Sequence, residues 1–288
     1  MVQPLKHQLA GNDVLKMMGI LNGTTNYILS KMAAEGAAFD DVLKEAQAKG
    51  YAEADPTNDV DGFDPVYKIS ILASIAFGKQ VPIEQVHREG IRSIGKDDMR
   101  YAAMLGHKIK LLGIVQALED GRILARVHPT MIPLSHPLAS VDGVYNAVWI
   151  HGDFVGDVMF SGRGAGANPT ASAVVGDLVD VGRNIKIGGS GSAIPYDLGM
   201  EVAPIDELTT RYYLRMTVQD RPKALGSIST IFGNCNISLA SMEMRPLDGG
   251  LGELVFVTHP CKESAFQRAV KAFHNIHFVH RLHNFIRV

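Results

Sequence analysis

The end of this 288-residue chain carries the pattern that most restricts its fold. The strand-like run YYLRMTV gives way to DRPKALGSISTIFGN, whose apolar residues recur at helical spacing. Two further strand-like runs follow, NISLASMEMRP and GELVFVTHP, then a second helical run, KESAFQRAVKAFHN, and a last strand, FVHRLHNFIRV. Periods of two and of about 3.6 residues alternate in the order βαββαβ. That is the split βαβ plan of a ferredoxin-like sheet, and it predicts a domain over residues 205–288.

Upstream the periodicity is different. From Asp13 to Gly106 the spacing predicts helices. One of these starts at Phe39 with acids in its first turn, carries Lys49 in its last and stops at Gly50. The next is predicted to open with Asp64 as N-cap and Pro65 at the first helical position, and to run to Gly78. From Lys108 the runs KIKLLGIVQAL and RILARVHPTMI flank Glu119-Asp120-Gly121 and predict a hairpin, and NAVWI with DFVGDVMF predicts another. The fold class is therefore α+β, with helices packed on a mainly antiparallel sheet over residues 13–160. The stretch GRGAGANPTASAVVGDLVDVGRN reads as a glycine-rich turn leading into a helix that Asn168 caps and Pro169 begins. Ile187 to Pro204 has no periodicity and reads as a linker.

Composition narrows the function. With 46% hydrophobic and 20% charged residues the chain affords sizeable cores, and a formal charge of −2 without a basic run argues against nucleic acid or an anionic membrane as partner. The apolar stretch from Ile69 to Phe77 is interrupted by Ser70 and Ser74 and is too short for the ~18 residues of a membrane span. No signal-peptide pattern follows Met1, so a cytoplasmic location is expected. Cys235 and Cys261 lack a CxxC partner, and the eleven histidines lack a repeated ligand spacing, so no metal is expected.

The chemistry concentrates in GYAEADPTNDVDGFDPVYK, Gly50 to Lys68. Asp64 and Lys68 are four apart on one helical face and can pair. Glu53, Asp55 and Asp59 arrive from the preceding loop, more carboxylate than one lysine requires. An amino-acid substrate supplies the missing cation: Glu53 and Asp64 would take its ammonium, and Lys68 would exchange a proton with a substrate oxygen. Two alternatives stay open at this level, a solvated ion pair at a helix start and a divalent-cation site.

The runs GILNGTTNYILSKM, EAQAKGYAEADPTNDVDGFDPVYK and GRGAGANPTASAVVGDLVD resemble the catalytic and substrate-binding portion of homoserine dehydrogenases, over almost the whole chain. The resemblance implies reversible, NAD- or NADP-dependent conversion of L-aspartate 4-semialdehyde to L-homoserine. It implies Lys68 as proton donor, Glu53 and Asp64 as homoserine-binding acids supported by Asp59, and Thr24 and Asn26 beside the substrate cleft. It further implies cofactor contacts from Gly50 and from the backbone of Gly164, Ala165 and Gly166.

Family members carry a nucleotide-binding half ahead of the matching stretch, and no Rossmann fingerprint opens a βαβ unit in this sequence. Residues 1–12 are accordingly expected to lead out of such a half, 13–160 to bind substrate and dimerise, and 161–204 to return to the nucleotide-binding domain. The 288 residues are expected to be a carboxy-terminal portion, inactive alone, or alternatively an amino-acid-sensing and oligomerisation module acting with a full-length enzyme. The tail resembles an ACT domain, which implies L-threonine as effector near Asp220, Leu225, Gly226, Asn236 and Ile237, and pairing into a homodimer or homotetramer.

Overall fold

The computed structural model describes residues 1–189 and 201–288. The expected linker therefore falls largely outside the described residues. After a helical turn at Pro4–Gln8 that seats Leu5 and Leu9 in the core, the first strand, β1, spans Val14–Ile20. This corrects the helical expectation for that stretch. Met17, Met18 and Ile20 are all buried, because a strand at the centre of a sheet covered on both faces loses the alternation that betrays strands in sequence.

Helices α1 (Gly23–Glu35), α2 (Phe39–Ala48), α3 (Thr57–Val60) and α4 (Phe63–Phe77) follow. The polar run Asn22–Asn26 is a boundary rather than an interruption: Asn22 is the N-cap of α1, its side-chain oxygen accepting from the Thr25 amide at 2.9 Å. Helix α4 is capped by Gly62 at φ +82°, so Asp64 lies inside its first turn instead of at the cap. A short β2 (His87–Arg88) and α5 (Lys96–Met104) lead to the two expected hairpins, β3 (His107–Ala117) with β4 (Ile123–Pro133), and β5 (Tyr145–Gly152) with β6 (Gly156–Arg163).

Helix α4 determines where Lys68 stands. Val66, Ile69, Leu72 and Ala73 form its buried stripe, each large side chain contributing ~1.5–3 kcal/mol. A Cβ on Gly113 of β3 would lie 2.9 Å from Leu21 and 3.1 Å from Ile69, so the bare backbone lets the helix seat closely on the sheet.

Helix α6 (Ala167–Ile187) is different. It is capped by Gly166 rather than Asn168, and it buries no residue, leaving Val174, Leu178, Val181 and Ile185 exposed along one stripe. Without packing, a helix is held only by its own hydrogen bonds. Hydrogen exchange on this chain is expected to be fast for Pro169 to Val181 and slow for Asp64 to Phe77. Equal protection of the two helices would mean that another surface covers α6 in solution.

The C-terminal region adds a short pair, β7 (Thr209–Thr210) with β11 (Cys261–Lys262), and the expected βαββαβ unit. That unit comprises β8 (Tyr212–Gln219), α7 (Ala224–Asn234), β9 (Leu239–Leu247), β10 (Leu251–Thr258), α8 (Glu263–Phe273) and β12 (Val279–Arg287). The strands join one sheet in the order β6-β5-β1-β3-β4-β12-β8-β10-β9. Its two parts meet where β12 pairs in parallel with β4, Arg287 opposite Thr130.

Residues of β8 consequently face two layers. Tyr212, Leu214 and Met216 pack with Phe232 of α7 and Phe266 of α8, whereas Tyr213 belongs to the upstream core. On that second face Asp98 of α5, fully buried, accepts from Arg215 (2.8 Å), Tyr213 (3.1 Å) and Asn284 (3.2 Å). Nearby Arg287 donates to both Glu89 and Glu263.

Candidate active site

The acidic loop and the start of α4 border a cleft of about 600 Å³. Lys68 donates from Nζ to Asp64 Oδ2 (2.7 Å) and to the carbonyl of Leu21 at the end of β1 (2.9 Å). Asn22 holds the acids, its Nδ2 donating to Asp59 Oδ1 (2.7 Å) and Asp64 Oδ2 (2.9 Å). Thr24 ties the loop down by donating to the carbonyl of Tyr51 at 2.6 Å. Among the described residues no donor reaches Asp64 Oδ1 or the Glu53 carboxylate, so both present acceptors to the cleft.

Gly50, at φ +72°, ends α2 and turns the loop into the cleft, with Gly164, Ala165 and Gly166 opposite. A Cβ on Gly164 would stand 2.2 Å from Asn146 Nδ2, and Gly166 lies at φ +119°. Only bare backbone satisfies both positions. Lys68, Asn146 and Gly164 also border a second cavity, of about 490 Å³, whose other walls include Leu21, Ile71, Val148 and Phe160. Lys68 thus stands between an acidic space and an apolar one.

Asn26 is the sequence-selected residue that the structure moves elsewhere. It is 2% exposed, and its amide donates to the carbonyls of Val141, Gly143 and Tyr145 while its oxygen accepts from Lys110. Burial pushes the Lys110 ammonium below its ordinary value, with Asp142 opposing. The pair fixes the turn that enters β5, from which Val144 and Asn146 line the cleft. Asn22 and Asn146 are the residues that sequence reasoning missed. For Asn22 the signal was its N-cap position, whereas Asn146 has no local signal.

Of the residues expected at the C-terminal effector site, Asp220, Leu225 and Gly226 gather at the turn into α7, where the Asp220 amide donates to the Gly250 carbonyl at 2.8 Å. Asn236 adopts φ +58°, and Ile237, 5% exposed, is part of the core beneath α7 and α8. The Ile237 side chain packs in the apolar layer between sheet and helices. No helix among the described residues is long and apolar enough to cross a membrane.

An acidic cleft with one lysine at its edge, on helices packed against a mainly antiparallel sheet that a ferredoxin-like unit extends, defines an α+β protein of two parts. Comparison with known proteins specifies it. The family model "Homoserine dehydrogenase" matches residues 1–179 and "ACT domain" matches residues 212–278. A homoserine dehydrogenase of Synechocystis is 47% identical across 100% of this chain and 68% of its own length, and that of Bacillus subtilis is 38% identical across 100% and 67%. A solved homoserine dehydrogenase from Thiobacillus denitrificans superposes with a TM-score of 0.92 at 40% identity, covering 99% of this chain and 66% of that one. The chain belongs to the homoserine dehydrogenase family and carries an ACT domain. It spans about two thirds of the length of the relatives it matches.

Proposed function

We propose that this chain supplies the substrate-binding and proton-transfer groups of a homoserine dehydrogenase, interconverting L-aspartate 4-semialdehyde and L-homoserine. The observation that carries the reading is the grip of Asp64 and the Leu21 carbonyl on Lys68 beside acceptors left open at Asp64 and Glu53. The substrate ammonium pairs with Glu53 and Asp64. Lys68 then gives a proton to the aldehyde oxygen as it becomes the alcohol, and takes it back in the reverse direction. Asn22 keeps Asp59 and Asp64 in register with the lysine.

The bare backbone at Gly164 and Gly166 and the apolar cavity beside Lys68 suit the nicotinamide end of NAD or NADP. When bound, that group accepts or supplies the hydride. A hyperthermophilic archaeal homoserine dehydrogenase has been solved with NADPH, which supports the assignment by kinship without choosing between the two nucleotides here. The exposed stripe of α6 supports placing residues 161–204 against a nucleotide-binding domain, with residues 1–12 leading from it and 13–160 carrying the cleft. Residues 205–288 would take an amino-acid effector such as L-threonine at the turn into α7, and the exposed edge strand β9 suits pairing with a second copy.

Homoserine-dependent reduction of NAD or NADP in an active preparation tests the reading. Glu53→Gln should raise the homoserine KM by about tenfold or more with a smaller change in kcat, since it removes one charge on the ammonium. An unchanged KM would remove Glu53 from the site.

A further inference from the structure

On the sheet face opposite α4 there is a further cavity, of about 270 Å³, bordered by residues of β1, β3, β4, β5 and β12. Among the described residues, the buried side-chain atoms lacking a hydrogen-bond partner are Arg126 Nε and Nη1, His128 Nε2, Trp149 Nε1 and Asn146 Oδ1. All but the last belong to residues lining this cavity. Unpaired buried polar atoms are uncommon, and four around one space mark a missing partner.

Arg126 is 6% exposed, and burial, with the nearby charge of Arg287, pushes its guanidinium down to about 10. Glu263, the acid whose charge reaches it, is already taken: Oε1 accepts from Arg287 and Gln267, and Oε2 from Arg287 and Tyr212. The Val288 oxygen at the rim accepts from Thr210. No Asp or Glu side chain lines the cavity, whereas Lys16 and Arg287 add positive charge.

His128 supplies the opposite polarity. Its Nδ1 lies 2.9 Å from the Pro129 carbonyl, which can only accept, and 3.0 Å from the Thr130 hydroxyl, whose own proton can go to the His128 carbonyl; with the proton on Nδ1, Nε2 carries the lone pair. Burial, then the charges of Arg287 and Arg126, hold its pKa well below the ordinary histidine value and keep the ring neutral.

We propose that this cavity binds a small carboxylate with an adjacent hydrogen-bond donor, an α-hydroxy or α-amino acid. The carboxylate lies on the Nε–Nη2 edge of Arg126, the edge with which Arg92 holds Asp61 and Arg287 holds Glu263, with the Trp149 indole as a further donor, and the neighbouring hydroxyl or ammonium donates to His128 Nε2. Two parallel N–H groups match two carboxylate oxygens. The position is separate from the Lys68 cleft. It touches the strand that joins the two parts of the sheet, so occupancy there would be felt by both.

Titration calorimetry of the 288-residue chain with glycolate, glycine and acetate tests the site. Glycolate and glycine should bind saturably and acetate more weakly, because acetate has nothing to offer His128. Arg126→Met should weaken glycolate binding by about tenfold or more, and Arg126→Lys, which keeps the charge but loses the paired edge, should do the same if the first variant fails to fold. Glu53→Gln should leave glycolate binding intact, which separates this site from the acidic cleft. Absence of binding by the wild-type chain, or wild-type affinity in the Arg126 variants, would overturn the proposal. So would a dimer that Arg126→Met dissociates with glycolate affinity unchanged, since an acid of the second copy would then be the occupant.

Discussion

Lys68→Met is expected to lower turnover by about 10²-fold or more while the homoserine KM changes little, the signature of a group acting in the proton-transfer step rather than in binding. Geometry separates this outcome from a structural one. The Lys68 side chain is 44% exposed, and its contact with Asp64 is an ion pair of the kind that contributes under ~1 kcal/mol, so the variant should fold. Lys68→Arg offers the sharper comparison. Arginine keeps the charge beside Asp64 yet does not release its proton, so it should restore stability without restoring turnover. Stopped-flow measurement of the reduced nicotinamide, with thermal melts on the same samples, reads both quantities. Near wild-type turnover in Lys68→Arg would leave Lys68 as an electrostatic anchor only.

The largest stability effect is expected at Arg287, where Arg287→Met should cost about 3–5 kcal/mol at neutral pH. Arg287 is 2% exposed and Glu263 is 1% exposed, and removing the arginine leaves the buried Glu263 carboxylate, with the half-buried Glu89 beside it, without its counter-charge. Burial works upward on the Glu89 and Glu263 carboxyls, but hydrogen bonds from Arg287, with His87 for Glu89 and Tyr212 for Glu263, reverse it and hold both below the ordinary range. Groups depressed on folding contribute stability that is present above the unfolded-state value, about 4.3, and is lost as pH falls through the folded one. The gap between wild type and Arg287→Met should therefore be widest near neutrality and narrow below pH ~4. Urea midpoints at neutral and acid pH measure it. A gap under ~1 kcal/mol at neutral pH, or one that widens in acid, would show that the cluster is not held by Arg287.

Much of this was legible in the sequence for a physical reason. Hairpins and the βαββαβ tail announce themselves because each has exposed turns and short local periods. Asp64 and Lys68 were legible because helical spacing alone makes them neighbours. What failed was information carried by the third dimension. The strand β1, buried on both faces, has no alternation to read. Asn26 and Asn22 look equivalent in NGTTN, yet one turn of helix sends the first toward Lys110 and leaves the second on the acids. Arg126 and His128 look like ordinary hairpin residues, and only the fold reveals that Arg126 Nε and Nη1 and His128 Nε2 are buried with no partner among the described residues.

The parallel pairing of β12 with β4, and the burial of Asp98 against Arg215, carry a consequence for how such a protein can change. A regulatory unit tethered by a linker can be exchanged between enzymes like an interchangeable part. The ACT domain here cannot, because Arg215, Tyr213 and Asn284 on its inner face are matched to Asp98 of α5, Glu253 to Tyr101, and Arg287 to Glu89 of the loop before that helix. A transplanted relative would strand Asp98 without Arg215, Tyr213 and Asn284, and an excised copy would expose Tyr213 and Val255 to water. Substitutions on the two sides must therefore be inherited together, and the sequence of the ACT domain is written partly in the body of the enzyme.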